Sequence, residues 1–144
     1  MMRLIMISLL LSFLVACSSD PQPLQYGKDI CHTCKMTLMD KKFGSEIVTK
    51  KGKVYKFDDL NCMVNFYNSG YEGTDNIEHR LVIDFANPEK FIDAEHAFFV
   101  KTDEIRTPMA SGIAAFGSEE DYSKFNKKWK GTSLSWGDLV TAFK

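Results

Sequence analysis

Two stretches of this chain carry the same succession of patterns, strand, strand, helix, strand, and that order limits the fold more than any other feature of the sequence. In the first, residues 45–50 hold the β-rich Ile47-Val48-Thr49, Lys51-Gly52-Lys53 supplies a turn, and Val54-Tyr55-Lys56-Phe57 follows as a second β-rich run. This reads as a hairpin. Asp58 and Asp59 offer an N-cap, after which Leu60, Met63, Val64 and Tyr67 fall at the spacing of one buried helix face. Asn68-Ser69-Gly70 ends that helix, residues 80–85 read as a third strand, and Asn87-Pro88 closes the stretch.

The second stretch opens with Ala97-Phe98-Phe99-Val100 and continues through an apolar strand over residues 112–117. Ser118, Glu119 and Glu120 mark a helix start, Tyr122, Phe125 and Trp129 share a face, and Lys127, Lys128 and Lys130 sit near the negative end of the dipole, with Gly131 as the cap. Ser133-Leu134-Ser135-Trp136 reads as a last strand, and residues 138–144 as a terminal helical turn. The expected class is α+β, with two ββαβ units packed together over residues 27–88 and 89–144. A content of 44% hydrophobic and 26% charged residues suits a compact fold and excludes a disordered chain, and a formal net charge of -1 disfavours a nucleic-acid partner.

Residues 1–16 stand outside that fold. Arg3 precedes a run of thirteen uncharged, almost wholly apolar residues that ends Leu14-Val15-Ala16-Cys17. About 20 such residues are needed to span a bilayer, so the run reads as a secretory signal. Leu-Val-Ala-Cys resembles the bacterial lipobox, which implies cleavage before Cys17, diacylglycerol on its sulfur and acylation of the new amino terminus. Several acyl chains on one residue anchor stably where one is marginal. Residues 17–26 then read as a lipidated, flexible tether, and the expected location is the cell envelope, on a membrane and facing the periplasm or exterior.

With Cys17 assigned to lipid, Cys31, Cys34 and Cys62 remain, an odd number that a disulfide framework alone does not absorb. Cys31-His32-Thr33-Cys34-Lys35-Met36 puts two thiols and a thioether within six residues, a combination that holds a soft metal, forms a reversible disulfide or closes a loop. Thiolate and thioether sulfur favour Cu(I), whereas Zn(II) draws on Cys, His and carboxylate and rarely on Met. Cys34 and Met36 are the first candidates, joined by Met109, which follows Pro108 in a loop whose backbone proline restricts. Cys31 is either a second ligand or a disulfide partner for Cys34. Cys62 lies in the first helical turn, where the macrodipole lowers a thiol pKa, and projects off the apolar stripe; it is a ligand or a buried structural residue. His96 is a candidate imidazole ligand. Met63 reads as core, Met39 is undecided, and Asp84 reads as a packing or hydrogen-bonding residue.

Cys31-x-x-Cys34-x-Met36, Phe57-Asp58-Asp59 with Cys62-Met63, Ile92-Asp93-Ala94, and Thr107-Pro108-Met109 ahead of Ala115-Phe116 resemble the NosL family of membrane-anchored copper chaperones. The resemblance implies a pair of ββαβ domains similar to part of organomercurial lyase, no enzymatic turnover, and delivery of Cu(I) to an extracytoplasmic acceptor, the copper-sulfide centre of nitrous oxide reductase or its assembly machinery. Lys35 stands where members usually carry Gly, and Ala110 follows Thr-Pro-Met where Gly is common, so backbone freedom near the metal is altered at both. Two alternatives stay open: a thiol-disulfide oxidoreductase using Cys31 and Cys34, which lacks the preceding strand and helix start of thioredoxin-type sites, and a structural lipoprotein held by Zn, which lacks a second CxxC.

Overall fold

The computed structural model describes residues 18–143; the expected signal sequence and the expected lipidation site Cys17 lie outside them. Seven strands form two antiparallel sheets. β1 (Ser45–Thr49), β2 (Val54–Phe57), β3 (Ile77–Ile83) and β4 (Phe91–Asp93) make the first, in the order β2-β1-β3-β4; β5 (Phe98–Lys101), β6 (Ile113–Phe116) and β7 (Thr132–Leu134) make the second, in the order β6-β5-β7. Three helices, α1 (Leu60–Asn68), α2 (Glu119–Trp129) and α3 (Trp136–Ala142), complete the described chain. The fold is mixed α and β. Among the described residues no helix is long and apolar enough to cross a membrane.

Strand alternation distributes the apolar side chains. On β1, Ile47 enters the main core beside Phe57 of β2, Leu60, Met63 and Val64 of α1 and Leu139 of α3. Phe99 of β5 and Ile113 and Ala115 of β6 reach that same core, so both sheets contribute to it. Their neighbours Val100, Ala114 and Phe116 point the other way, onto Tyr122, Phe125 and Trp129 of α2. The sheets also meet through the backbone, where Phe85 N–H donates to Ala115 O at 2.8 Å.

Four details depart from the pattern expected of the sequence. β4 lies past Pro88 and pairs with β3, so the first sheet takes a strand from beyond the Asn87-Pro88 turn. Lys130, with φ 53°, caps α2, and Gly131 serves a different purpose: a Cβ there would sit 2.6 Å from Lys101 O and 2.5 Å from Val100 Cγ1. The last strand stops at Leu134 because Ser135 and Asp138 form a capping box that starts α3. Residues 18–25, expected to be a flexible tether, lie against the first sheet: Gln22 N–H donates to Glu46 at 2.9 Å and Lys56 Nζ donates to Pro23 O at 3.0 Å.

Candidate metal centre

The turn between β2 and α1 positions the site. Asp59 has extended backbone at the N-cap of α1, yet its carboxyl makes no capping bond to the helix. It faces the second half of the chain instead, accepting from Met109 N–H at 2.8 Å and from Ser111 Oγ at 2.5 Å, while Asn61 Nδ2 donates to Met109 O at 3.1 Å. Its neighbour Asp58 points the opposite way, toward the Cys31–Cys34 loop. A capping carboxyl is worth about 1 kcal/mol to a helix, so its diversion marks a structural demand elsewhere.

The Cys31–Cys34 loop is a tight turn laid against β2. His32 N–H donates to Lys56 O at 2.8 Å, Lys35 N–H to Cys31 O at 3.0 Å and Cys31 N–H to Met36 O at 2.8 Å. Lys35 has φ 65°, the left-handed conformation that glycine adopts without steric cost, and Ala110 of the Met109 loop has φ 56°. Both residues that depart from the glycine expected of the family thus hold glycine-like backbone.

This folding brings the Sγ atoms of Cys31, Cys34 and Cys62 and a carboxyl oxygen of Asp58 within 4.8 Å of one another. Cys31 and Cys62 are buried and Cys34 is partly exposed; all three are free thiols. Thr33 Oγ1 ties the loop to the helix by donating to Cys62 O at 2.9 Å, and Cys34 Sγ donates to Asp58 Oδ2 at 3.3 Å. Asp58 is 3% exposed and its Oδ1 has no hydrogen-bond partner.

The three thiols are electrostatically distinct. Cys31 is pulled down to about 6, chiefly by the Cys62 thiol donating to it, with the backbone N–H groups of Cys34 and Asp58 acting in the same sense against burial. Burial pushes Cys34 up to about 11, and its hydrogen bonds to Cys31 and Asp58 add to that. Cys62 is raised, first by donating to Cys31 and then by burial. The lowered thiol is therefore Cys31, and the macrodipole argument for Cys62 is overridden by its neighbour. The three thiols thus differ in how readily each gives up its proton, Cys31 before the other two.

The remaining candidates separate cleanly. Met109 is partly buried and packs, like Cys34, against the main core. Met36 is 52% exposed and Met39 71% exposed, while Met63 is fully buried. His96 is not a member of the thiol cluster. Its Nδ1 pairs with Asp93 Oδ1 at 2.9 Å, its side chain is 85% exposed, and it borders a groove with Phe98, Tyr122 and Ser133. Asp84 is buried and accepts from Ala86 N–H and Asn87 Nδ2. The cavity of about 530 Å³ behind the Met109 loop, lined by Asn61, Arg106, Thr107 and Ser111, has no thiol in its wall. Sequence reasoning missed Asp58, Asp59 and Asn61 as parts of the site; the available signal was two adjacent acids at a helix start that has room for one cap.

The Cys31–Cys34 pair occupies a loop, not the start of a helix, which removes the helix-dipole geometry of thioredoxin-type active sites. What the arrangement offers is a compact sulfur-rich donor set, two thiols inside and one at the surface.

No curated protein matches this chain in sequence. Among solved structures, the crystal structure of the copper chaperone NosL from Shewanella denitrificans matches with a TM-score of 0.73 and 22% identity, covering 87% of this chain and 98% of that one, which shows a common fold. The sequence profile of the NosL family matches residues 24–143, most of the chain, and the chain therefore belongs to the NosL family.

Proposed function

We propose that this protein is a copper chaperone of the cell envelope, anchored by lipid on Cys17, that holds one Cu(I) and passes it to an extracytoplasmic cuproenzyme by ligand exchange, without chemical turnover. The observation that carries this reading is the convergence of three free thiols, one of them reachable from solvent. Membership of the NosL family and a fold shared with a copper chaperone point to the same cargo. Nitrous oxide reductase, or the machinery that builds its copper-sulfide centre, is the acceptor that the family resemblance suggests.

Cu(I) prefers two or three soft donors, and Cys34 with Cys31 and Cys62 supplies them. Met109, fixed on the N-terminal turn of α1 by Asp59 and Asn61, offers a thioether from the second half of the chain. Asp58 is a hard donor; its role is to hold the Cys34 thiol in the cluster. Release begins at Cys34, the one thiol an incoming sulfur or nitrogen can reach. Met36, on the rim of the same loop, gives that exchange a second soft group.

The presence of a carboxyl as fourth member of the cluster favours a second reading, a Zn(II) site of Cys and Asp ligands. Competition of the reduced protein against Cu(I) and Zn(II) chelators, with X-ray absorption on the copper form, distinguishes the two. One Cu(I) per chain in an all-sulfur shell, lost in Cys34→Ser, supports the chaperone reading; retention of Zn(II) in preference to Cu(I) would overturn it.

A further inference from the structure

The face of β1 that does not enter the main core carries Glu46 and Val48. Register sets Glu46 opposite Lys56 of β2 and Leu81 of β3, and sets Val48 opposite Val54 and His79. Residues 18–25 cover this face. Ser18 O packs on the β1–β2 turn, where a Cβ on Gly52 would meet it at 2.7 Å, and Leu24 closes on Gly44. Between them Gln22 N–H donates to Glu46 Oε1 at 2.9 Å. Pro23 O accepts from Lys56 Nζ, which also donates to Asp29 at 2.7 Å, and Gln25 N–H donates to the same Asp29 carboxyl.

Beneath the segment Glu46 is 0% exposed, and its Oε2 has no hydrogen-bond partner. An ionised carboxylate buried with one oxygen unsatisfied is costly, whereas the neutral acid keeps an acceptor for Gln22 and carries no charge to desolvate. Lifting the segment returns the carboxyl to water. We propose that residues 18–25 form a proton-controlled strap, docked on the first sheet while Glu46 is neutral and loosened when it ionises.

The surroundings agree in direction. Burial drives Glu46 up to about 7, opposed by the Gln22 N–H and by Lys56 and assisted by Asp29. The charged groups that act on it are Lys56 from β2 and Asp29 from the loop before Cys31, and His79 lies one position along the same face of β3. Lys56 is already engaged by Asp29 and Pro23, so it neutralises Glu46 only in part. In the released state the carboxyl has its ordinary value near 4.5. The docked state thus binds protons more tightly. Docking is strongest below about pH 4.5, weakens as pH rises to about 7 and levels off above, a total change on the order of a hundredfold. Combined with the lipid-anchor reading, on which this consequence alone rests, release adds eight residues between Cys17 and the sheet, up to roughly 26 Å of reach.

The test is amide exchange at Gln22, corrected for intrinsic rates, between about pH 5 and 8. Protection at Gln22 should fall on the order of a hundredfold across that range while Ile47 in β1 keeps its own, and Glu46→Gln should hold Gln22 protected throughout. Flat protection in the wild-type protein, or an equal fall in Glu46→Gln, would overturn the proposal. The carboxyl carbon of Glu46, followed by NMR in the wild-type protein, gives a measurement that needs no variant. A midpoint near 7 supports the strap, and one in the ordinary carboxylate range removes it.

Discussion

Asp59→Ala isolates the link between the start of α1 and the Met109 loop. Asp59 is 1% exposed, and because its carboxyl makes no capping bond to α1, the substitution leaves helix capping as it was. What is lost is the pair of bonds to Met109 N–H and Ser111 Oγ. Ser111 retains a partner in Thr107 Oγ1 at 3.1 Å, but the Met109 amide is left in a partly buried loop without an acceptor. Two bonds at about 1 kcal/mol each and one orphaned amide at about 1 kcal/mol or more give a destabilisation of about 3 kcal/mol. For a domain of this size that lowers Tm by roughly 10 °C. Asp59→Asn keeps one acceptor and should lose about half as much. Thermal unfolding of the metal-free protein measures both, and far-ultraviolet circular dichroism below the transition should show α1 intact. Cu(I) competition adds the functional readout: with the loop released, substituting Met109 should have little further effect. A destabilisation below about 0.5 kcal/mol, or full additivity between Asp59→Ala and Met109→Leu in copper affinity, would refute the assignment of Asp59 as the clasp on Met109.

Met109→Leu keeps volume and apolarity, so apo stability should change by less than about 1.5 kcal/mol while Cu(I) affinity, read by chelator competition, falls tenfold or more, on the order of 1.4 kcal/mol. Cys17→Ser should release the protein from membranes or leave the precursor uncleaved, and intact mass with membrane fractionation checks it. Lys35→Gly and Ala110→Gly should each stabilise the apo protein, by roughly 0.5–1 kcal/mol in denaturant unfolding, because the relief of left-handed strain exceeds the added entropy of the unfolded chain.

Elements of regular period are legible from the residues alone. The β1–β2 hairpin, α1 and α2 each carry their own turn, cap and apolar spacing within a dozen residues, and they stand where those signals put them. β4 is invisible in the sequence because Phe91-Ile92-Asp93 is three residues long and owes its pairing to β3. The start of α3 is hidden by a β-like Ser133-Leu134-Ser135-Trp136, although Ser135 and Asp138 announce a capping box. Within the site, the spacing of Cys31, Cys34 and Met36 draws notice by itself. Cys62 joins the two cysteines through tertiary contact, and periodicity places it only off the apolar stripe. Asp58 and Asp59 give no local sign of which way each will turn, since either suits an N-cap. His96 is close in sequence to the Met109 loop, and that chain proximity does not make it a member of the thiol cluster.

The clasp at Asp59 and the bond from Cys34 to Asp58 also set an order of events in making the protein. One bridges 50 residues and the other 24, and both converge on a single turn. Contacts that long close late in folding, after the local hairpins and helices exist. A nascent or half-folded chain therefore presents Cys31 and Cys34 without Cys62 or Asp58 around them, and copper caught at that stage would cross-link an unfinished molecule. Arrival of the metal is best timed after the second half of the chain has docked, so that the finished fold, and not the cysteine pair by itself, is what earns the cargo.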